Sequence, residues 1–563
     1  MTRKRVLKWF VTERRSIIHL FTGEFYTHIP KRTHNGECQL SVLESGKVRK
    51  HLAENLDVVG LEVLIVERKL YSRSEIGLQS KVVVNPIADE LQLDTCERLQ
   101  GTSDAALIFQ MSGNTSQSQC IKELLDSFFR GILSTKLDDQ KVLSNSIPLI
   151  GKLVFGDSKL TYNEALYLFC RLERDYLSLD IFPNKSLFSR KEDCLGSYNS
   201  LRAGFDSVFN NPTLSNNELY FTVYMRIFTA SRGQLISLYR KIAENPLLII
   251  TSCSSLIISL KSILNQLSTT ENELTKAFLH ISQSIKLEVV ILHELLSAQI
   301  AISDLMFLES LLSLNRAKDN LDKLRKLLNS KGSTSPSKQL PLVAWLERFY
   351  AHLLSKYTLY WFEILVRSAS NLQEIEETAN SENLNLVANI TRFQRESNAL
   401  NISLLFDTTC QSFPFLGHGY VLRGSVGDAP KGIESIPPIF NAPLGSSLSP
   451  VDIYTIVMQI NSTLHLSGDD KIDVSDILKQ PRYVYDEKLN HTYYIKKLEC
   501  RVFLALVYEG LKSHKDKLIN EFISMLTDTI CLHKVVNLLK QHRQQFSSSP
   551  STDRRSLRSL FFH

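Results

Sequence analysis

The sequence lacks closely spaced cysteines. Nine cysteines are spread over 563 residues, and no two of them form a C-x-x-C pair. A zinc ribbon or a thioredoxin-type site needs such pairs, because one turn has to present two sulfur atoms. Both kinds of site are therefore excluded. An odd number of scattered cysteines is typical of a reducing compartment, where they serve as small buried apolar side chains.

A hydrophobic run long enough to span a membrane is also missing. The most apolar stretch, Leu247–Leu260, contains several serines and is shorter than the roughly 20 apolar residues of a transmembrane helix. We expect a buried core helix there. The first fifteen residues hold six basic side chains and one glutamate, with no long apolar segment after them. A secretory signal is therefore not expected, while a mitochondrial presequence stays open as an alternative.

Excess charge and catalytic motifs are scarce as well. The 65 basic and 59 acidic residues give a net charge of +6, and no basic patch is interleaved with aromatic residues, so nucleic acid is not an expected partner. Gly424–Gly432 does not fit a phosphate-binding loop, because a proline precedes its lysine. His293-Glu294 lacks the second histidine of H-E-x-x-H, Asp469–Asp476 lacks the calcium-loop glycine, and G-x-S-x-G is absent. We expect no enzyme, cofactor, metal site or small-molecule substrate.

Glycine and proline are absent from Leu247 to Lys331 and from Leu342 to Phe413. Strands need frequent turns and turns favour these two residues, so both stretches are predicted to be helical. An apolar stripe with spacings of three to five residues predicts one buried helix face. The stripe consists of Ile285, Val289, Leu292, Leu296, Ile300, Leu305, Leu308 and Leu312. A capping box at Thr270–Glu273 and Pro341 at a first turn mark helix starts. We predict an antiparallel bundle of long helices over residues 118–398.

The pattern changes near residue 400. Ile402–Asp407 and Cys500–Tyr508 are predicted to be strands, and Tyr483–Ile495 a hairpin. Ser449 and Pro450 are predicted to cap and begin a helix. A last helix is predicted to be capped by Ser513, with its buried stripe at Leu518, Phe522, Leu526 and Ile530. Strands with flanking helices predict a small second domain over residues 399–545, so the fold class is α+β and multidomain.

The two ends of the chain carry weaker patterns. Residues 1–117 are interpreted as an N-terminal extension of unknown fold, with strands predicted at Val58–Val66 and Lys81–Val84. Three alternatives stay open for this region: a functional segment, a targeting segment, or an artefact of the gene model. The Ser/Arg-rich tail, residues 546–563, is expected to be disordered.

Residues 414–450 form an unusually long connection, with six prolines and six glycines, and we expect it to have a function. The candidate structural or partner-binding residues are Gly417, His418, Gly419, Tyr420, Ala429, Pro430, Lys431 and Gly432. Glycines beside His418 allow the backbone to come close to a neighbour. A lone histidine, however, lacks the positioned acid, cysteine or second histidine of a catalytic set. Loop closure is the simpler interpretation, and an enzyme site around His418 stays open as an alternative.

Several strings occur in an order that resembles one known family. They are Ser186–Lys191, Leu287–Leu314, Leu342–Phe362, Asn401–Asp407, Leu416–Tyr420 and Ala429–Gly432, followed by the hairpin and the strand near the end. With gaps, from about Gln119 to Gln541, the sequence is similar to the second subunit of the KICSTOR complex. That family carries further histidines after the position of Tyr420, whereas Val421–Asp428 has none. A metal site in this loop is therefore not expected.

The resemblance implies a helical bundle followed by a profilin-like or roadblock-like α/β domain. It implies a non-catalytic scaffold in the cytoplasm that is recruited to the lysosomal membrane surface. There it would help to recruit the GATOR GTPase-activating complex and restrain TOR-complex signalling on amino-acid deprivation. The implied partners are the GATOR complex and the other KICSTOR subunits, including the large scaffold subunit. A longin-like adaptor for membrane-surface trafficking, using the small α/β domain and the basic ends, stays open as an alternative.

Overall fold

A computed structural model of the chain describes residues 115–133, 136–149, 151–155, 158–182, 193–209, 214–268, 277–328, 340–368, 384–409, 430–464 and 480–546. All of them belong to one compact unit. The predicted N-terminal strands, the capping box at Thr270–Glu273, the acidic run Asp469–Asp476 and the tail lie outside these residues. The predicted boundaries of the extension, the bundle and the second domain stay predictions.

Helices dominate the described residues. The first elements are α1 (Thr115–Gly131), α2 (Leu137–Asn145), β1 (Lys152–Phe155) and β2 (Ser158–Thr161). The helices that follow are α3 (Tyr162–Leu177), α4 (Cys194–Phe209), α5 (Asn216–Glu244), α6 (Leu248–Thr251), α7 (Cys253–Ser268), α8 (Leu279–Ser303), α9 (Phe307–Leu328), α10 (Pro341–Tyr360), α11 (Phe362–Ser368) and α12 (Leu386–Ser397). As predicted, Pro341 lies in the first turn of its helix, where its missing N–H costs no hydrogen bond.

The C-terminal part contains a small sheet. Its elements are β3 (Asn401–Phe406), a 3-10 turn (Gly432–Ser435), β4 (Pro438–Ala442), α13 (Pro450–Leu464), β5 (Arg482–Asp486), β6 (His491–Lys497), β7 (Val502–Glu509), α14 (Lys517–Ile530) and α15 (His533–Phe546). The five strands are antiparallel in the order β4-β3-β7-β6-β5. The predicted strands and hairpin are confirmed to within a few residues, and so is the α+β class.

Alternating side chains place the two faces of this sheet in different apolar cores. On β7, Leu504 and Leu506 point into a large core that also contains side chains of most of the helices, while Phe503 and Ala505 point the other way. The second face packs under α13, which contributes side chains such as Ile456. Residues on successive positions of a strand face opposite sides, so the nearly continuous apolar run in β7 reflects burial on both faces.

The stripe predicted as a single helix face is confirmed at Ile285, Val289, Leu292 and Leu296, all of which are buried on α8. The prediction that the stripe continues along the same helix face to Leu312 is wrong. The helix ends at Ser303, and α9 runs back as an antiparallel partner, so Leu308 and Leu312 are 41% and 39% exposed. Leu305, which lies in the turn, is buried.

The turn between α8 and α9 is formed without glycine. Leu305 has a φ of 53°, its N–H donates to Ile302 O over 3.1 Å, and the N–H of Met306 donates to Ala301 O over 2.8 Å. This pair of hydrogen bonds is the Schellman motif, which normally has glycine in the left-handed position. Leu179 and Leu532 take the same left-handed conformation after α3 and α14. Burial of each leucine side chain compensates for the strain.

A short hairpin lies within the segment that the sequence predicted to be purely helical. Strands β1 and β2 pair in antiparallel fashion, with Leu153 opposite Leu160. Helix α4 packs on β1 so closely that a Cβ atom at Gly204 would lie 2.5 Å from the carbonyl oxygen of Val154. Only glycine fits at this crossing.

The buried core helix predicted over Leu247–Leu260 is confirmed only in part, because Ser252 divides the stretch into α6 and α7 and Ile258 is exposed. Ile249, Leu256 and Leu260 are buried there. Among the described residues, no single helix is long and apolar enough to cross a membrane. Helices Lys517–Ile530 and His533–Leu539 together have the length and apolar composition of a membrane span, but they are bent by 67° at the break between them.

The cap predicted for the helix before the C terminus is wrong. Asp516, not Ser513, caps α14, and its carboxylate accepts a hydrogen bond from Ile519 N over 3.1 Å. The chain between the two residues forms a turn, so the helix begins later than predicted. Its buried face includes Phe522, Leu526 and Ile530 as predicted, whereas Leu518 is exposed.

Candidate functional site

Of the connection predicted over residues 414–450, the structure describes residues 430–450, and Pro438–Ala442 form strand β4, which the sequence did not predict. Gly417, His418, Gly419, Tyr420 and Ala429 lie outside the described residues. Pro430 is half-buried, and Lys431 and Gly432 are exposed. Gly432 begins the 3-10 turn with a φ of 64°. A Cβ atom added at this position would have no neighbour within 4 Å. Its backbone conformation, not lack of space, explains the glycine.

Both ends of this connection are fixed at the same end of the sheet. Thr408 N donates to Ser435 O over 2.9 Å, and the Thr408 hydroxyl donates to the same oxygen over 2.7 Å. The Arg501 guanidinium donates to Asp407 O over 2.9 Å, while Asp407 N donates to Arg501 O over 2.7 Å. The segment that carries the candidate residues therefore leaves and returns beside the first residues of β7.

Helix α13, which follows this connection, has an apolar outer face. Val451, Tyr454 and Met458 are 51%, 53% and 50% exposed, and their spacing places them on one side of the helix. The opposite side, including Ile456 and Ile460, packs on the sheet. The predicted cap is confirmed, because Asp452 N donates to the Ser449 hydroxyl over 3.1 Å. The helix contributes no charged side chain to this outer face, since Asp452 is its only acidic or basic residue and is buried. The Arg482 guanidinium lies at the C-terminal end of the face, where it donates to Ser462 Oγ over 2.8 Å.

Asp452 fastens the start of α13 to the sheet. Its carboxylate accepts hydrogen bonds from Ser449 Oγ over 2.6 Å and Tyr493 OH over 2.6 Å, and His491 Nδ1 lies 2.8 Å away. Burial alone would raise the pKa of Asp452, but these hydrogen bonds outweigh it and lower the pKa below its usual value. The outer face is therefore presented on a rigidly attached helix.

A buried cluster around Arg232 ties four helices of the large core together. The Arg232 guanidinium donates to Glu173 Oε1 over 2.8 Å and to Glu288 Oε2 over 2.6 Å. The two carboxylates also accept hydrogen bonds from three tyrosine hydroxyls, those of Tyr176, Tyr198 and Tyr239. Burial lowers the pKa of Arg232, but the two carboxylates raise it well above its usual value. Because its buried charges are paired by hydrogen bonds, the Arg232 cluster holds the four helices together and offers no route for a substrate.

A second buried cluster, around Lys356, joins the helices to the sheet. The Lys356 ammonium pairs with the carboxylate of Glu499, which lies in the turn between β6 and β7. Gln299 of α8 and Tyr360 of α10 donate to the same carboxylate over 3.1 and 2.9 Å. All four side chains are buried. The Lys356 cluster thus fixes the position of the turn against α8 and α10.

Five of the cysteines that the structure describes have thiols that resist ionisation. Burial raises the pKa of the Cys170 and Cys500 thiols to about 11 and that of Cys194, Cys253 and Cys531 to about 12. A thiolate is the nucleophilic form, so these five are poor nucleophiles. In the part of the chain that the structure describes, no three His, Cys, Asp or Glu side chains converge to hold a metal ion.

Comparison with known proteins assigns the sequence of this chain to a family. The family model described as "KICSTOR complex C12orf66 like" matches residues 158–543, which run from β2 into α15. The chain belongs to this family. A curated relative from Danio rerio, "KICSTOR subunit 2", is 28% identical over 399 residues, covering 67% of this chain and 86% of the relative. Its counterpart from Xenopus laevis, also "KICSTOR subunit 2", is 24% identical over 389 residues, covering 65% and 84%.

The KICSTOR family match contains both buried clusters and the outer face of α13, none of which was predicted. Arg232 and its carboxylates are 59 and 56 residues apart, so no local pattern connects them. The outer face did have a signal: Asp452 is the one acidic or basic residue in Pro450–Leu464. A helix at the surface normally has charged residues on its outer side, so this composition indicates a partner.

Proposed function

We propose that the chain is a non-catalytic subunit of a KICSTOR-type complex. The observation that carries this proposal is the family match over residues 158–543, together with relatives named KICSTOR subunit 2. The buried, fully hydrogen-bonded ionic clusters and the raised pKa values of the cysteine thiols give a catalytic role no support. An uncharged apolar helix face supports a role in protein association.

We further propose that the helices form a bundle and that β3–α15 form a profilin-like or roadblock-like domain attached to it. The antiparallel five-stranded sheet, with α13 on one face and the large core on the other, supports this arrangement. The Lys356 cluster provides a buried polar contact between the two parts, and Trp345 Nε1 of α10 donates to Val535 O of α15 over 2.9 Å. In this view the bundle supports a small domain whose outer helix is available to a partner.

The proposed role in the cell follows from the family resemblance. The chain would act in the cytoplasm, be recruited with its complex to the lysosomal surface, and help to bring the GATOR complex there. Loss of the chain should then leave TOR-complex signalling high when amino acids are withdrawn. The candidate residues Gly417–Tyr420 and Ala429–Gly432 remain a predicted partner-binding loop. Ile436, which follows this loop, lies in the same apolar core as Ile456 of α13, and this supports a common docking surface.

The outer face of α13 is the proposed contact with another subunit of the complex. Because it presents Val451, Tyr454 and Met458 with no charged side chain of the helix between them, it fits an equally apolar surface. A charge placed in such a contact would have to be desolvated without a partner, at a cost of several kcal/mol. The face is therefore sensitive to a single substitution.

Affinity purification of the full chain tests both levels of this proposal. The wild-type chain should recover the other KICSTOR subunits, and failure to do so would reject the subunit role. Met458→Glu should lose them, because it introduces a charge into the face. The matched control is Ile258→Glu on α7, where another exposed apolar side chain is replaced. Equal recovery by both variants would reject the α13 face while leaving the subunit role intact.

A further inference from the structure

A cleft opens between α8 and α9 near the turn that joins them. Its volume is about 440 Å³. Residues of α8 from Glu294 to Ala301 line it, followed by Asp304 at the C-cap of that helix, and α9 lines it with Glu309, Leu312 and Arg316. Because Leu305 reverses the chain within a few residues, the two helices face each other across the cleft as an antiparallel pair. The walls are thus formed by rigid elements.

The lining combines carboxylates with a single cation. Glu294, Asp304 and Glu309 contribute three acidic groups, and Arg316 is the one basic residue among the lining residues. Arg316 neutralises Glu294 only weakly, since their closest atoms are 3.8 Å apart and the arginine side chain is exposed. The cleft therefore has an excess of negative charge.

The environment of Asp304 shows that this charge is held partly out of water. Burial raises the pKa of Asp304 to about 6. The Arg501 guanidinium acts in the opposite direction, while Glu309 and Glu499 add to the increase. A carboxylate in such a place would be stabilised by a cation that enters the cleft.

Apolar side chains lie at and beside the cleft, because Leu312 lines it and Leu308 directly precedes the lining residue Glu309. Leu308 and Leu312 lie four residues apart on α9 and are about 40% exposed, although both belong to a stripe whose pattern predicts burial. An exposed leucine pair beside carboxylates matches an amphipathic segment that carries apolar and basic side chains on one face. A bare metal ion does not fit, because no three ligand side chains converge among the described residues.

We propose that this cleft docks a basic, apolar segment of another subunit of the complex. A lysine or arginine of that segment would lie against Asp304 and Glu294, and an apolar side chain would cover Leu308 and Leu312. The inference rests on the proposed function, because it takes the partner from the same complex. The site is distinct from the outer face of α13, where the exposed helix residues are uncharged and fit a different kind of surface.

The test measures the affinity of the full chain for the purified assembly of the remaining subunits. Leu308→Lys combined with Leu312→Lys replaces the two exposed leucines by cations, and we expect binding to weaken at least about tenfold, equivalent to about 1.4 kcal/mol. The control is Ile258→Lys combined with Leu518→Lys, which alters two exposed apolar positions on other helices. It should bind like the wild type.

A second variant addresses the charge and guards against misfolding. Asp304→Asn keeps the shape of the side chain and should weaken binding several-fold, and the wild-type affinity should fall as salt is raised. If the wild type does not bind the assembly, the proposed function fails and the inference falls with it. If the wild type binds and both cleft variants bind as tightly as the wild type, only the cleft proposal is rejected. The same holds if the control variant loses as much affinity as the cleft variants.

Discussion

The side-chain amide of Gln299 donates to the carboxylate of Glu499 over 3.1 Å, across 200 residues of sequence. Gln299 lies on α8 and Glu499 in the turn between β6 and β7, so this contact connects the helices with the sheet. The same carboxylate receives the ammonium of Lys356. An ion pair that is fully buried is stable only while both partners and their hydrogen bonds are present.

Removing one partner of this pair should be costly. In Lys356→Met the Glu499 carboxylate stays buried without its cation, and we expect the free energy of unfolding to fall by about 3–5 kcal/mol. Adding Glu499→Gln removes the uncompensated charge, so the double variant should regain part of the loss. Urea-induced unfolding of the full chain measures both. Lys517→Met, at an exposed ion pair with Glu521, is the control and should change stability by about 0.5 kcal/mol or less. A double variant as unstable as the single one would contradict this account.

At Leu305 we predict that a glycine variant is more stable than an alanine variant, which is the opposite of the usual order in a helix. Both Leu305→Ala and Leu305→Gly lose a buried side chain, but only glycine adopts a φ of 53° without a Cβ clash. The glycine variant should therefore be more stable than the alanine variant by about 1 kcal/mol. At Leu314, buried in the interior of α9, the order should be the opposite by about the same amount, because glycine weakens a helix. The same order at both positions would contradict the strain argument.

The leucines in the left-handed turns also explain why the sequence did not predict these helix ends. Periodicity predicted four of the five strands of the sheet and the buried part of α8, because alternation and helical spacing report burial directly. It missed β4, which lies in the Gly/Pro-rich connection. Helix ends are usually marked by glycine, and Leu179, Leu305 and Leu532 occupy that position instead. The stripe was therefore extended past residue 304, and Leu308 and Leu312 were predicted to be buried.

The β1–β2 hairpin and the buried ionic clusters were not predicted, for different reasons. The strands β1 and β2 have four residues each, too few for alternation to be distinctive, although Gly156-Asp157 between them is a recognised hairpin dipeptide. The Arg232 and Lys356 clusters bring together residues from distant helices. In a sequence such residues look like ordinary surface charges, and only the tertiary structure shows their pairing.

Gly204 should not tolerate a side chain. In Gly204→Ala the new Cβ would lie 2.5 Å from Val154 O and 2.7 Å from Leu153 Cδ1, so α4 must move away from β1. We expect a loss of about 1–3 kcal/mol in the free energy of unfolding. The matched control is Gly196→Ala in the same helix, where the nearest atom is 3.9 Å away. There alanine should be neutral or stabilising by up to about 1 kcal/mol, because it favours the helix. Equal effects at both positions would show that the close packing on β1 is not what requires glycine.

Asp304 should make stability depend on pH. Its pKa is raised from 3.8 to about 6 in the folded chain, so the folded state binds a proton more tightly than the unfolded state. Stability from this group is therefore present at low pH and is lost as pH rises through the window from about 4 to 6. Asp304→Asn removes the cost of the charged form, and at pH 7.5 it should stabilise the chain by about 1 kcal/mol, a value reduced for partial exposure to solvent. The advantage over the wild type should narrow towards pH 4 in urea unfolding. An advantage independent of pH would mean that the asparagine acts through packing, whereas a pH-dependent one would mean that the carboxylate is retained in the cleft at a cost in stability.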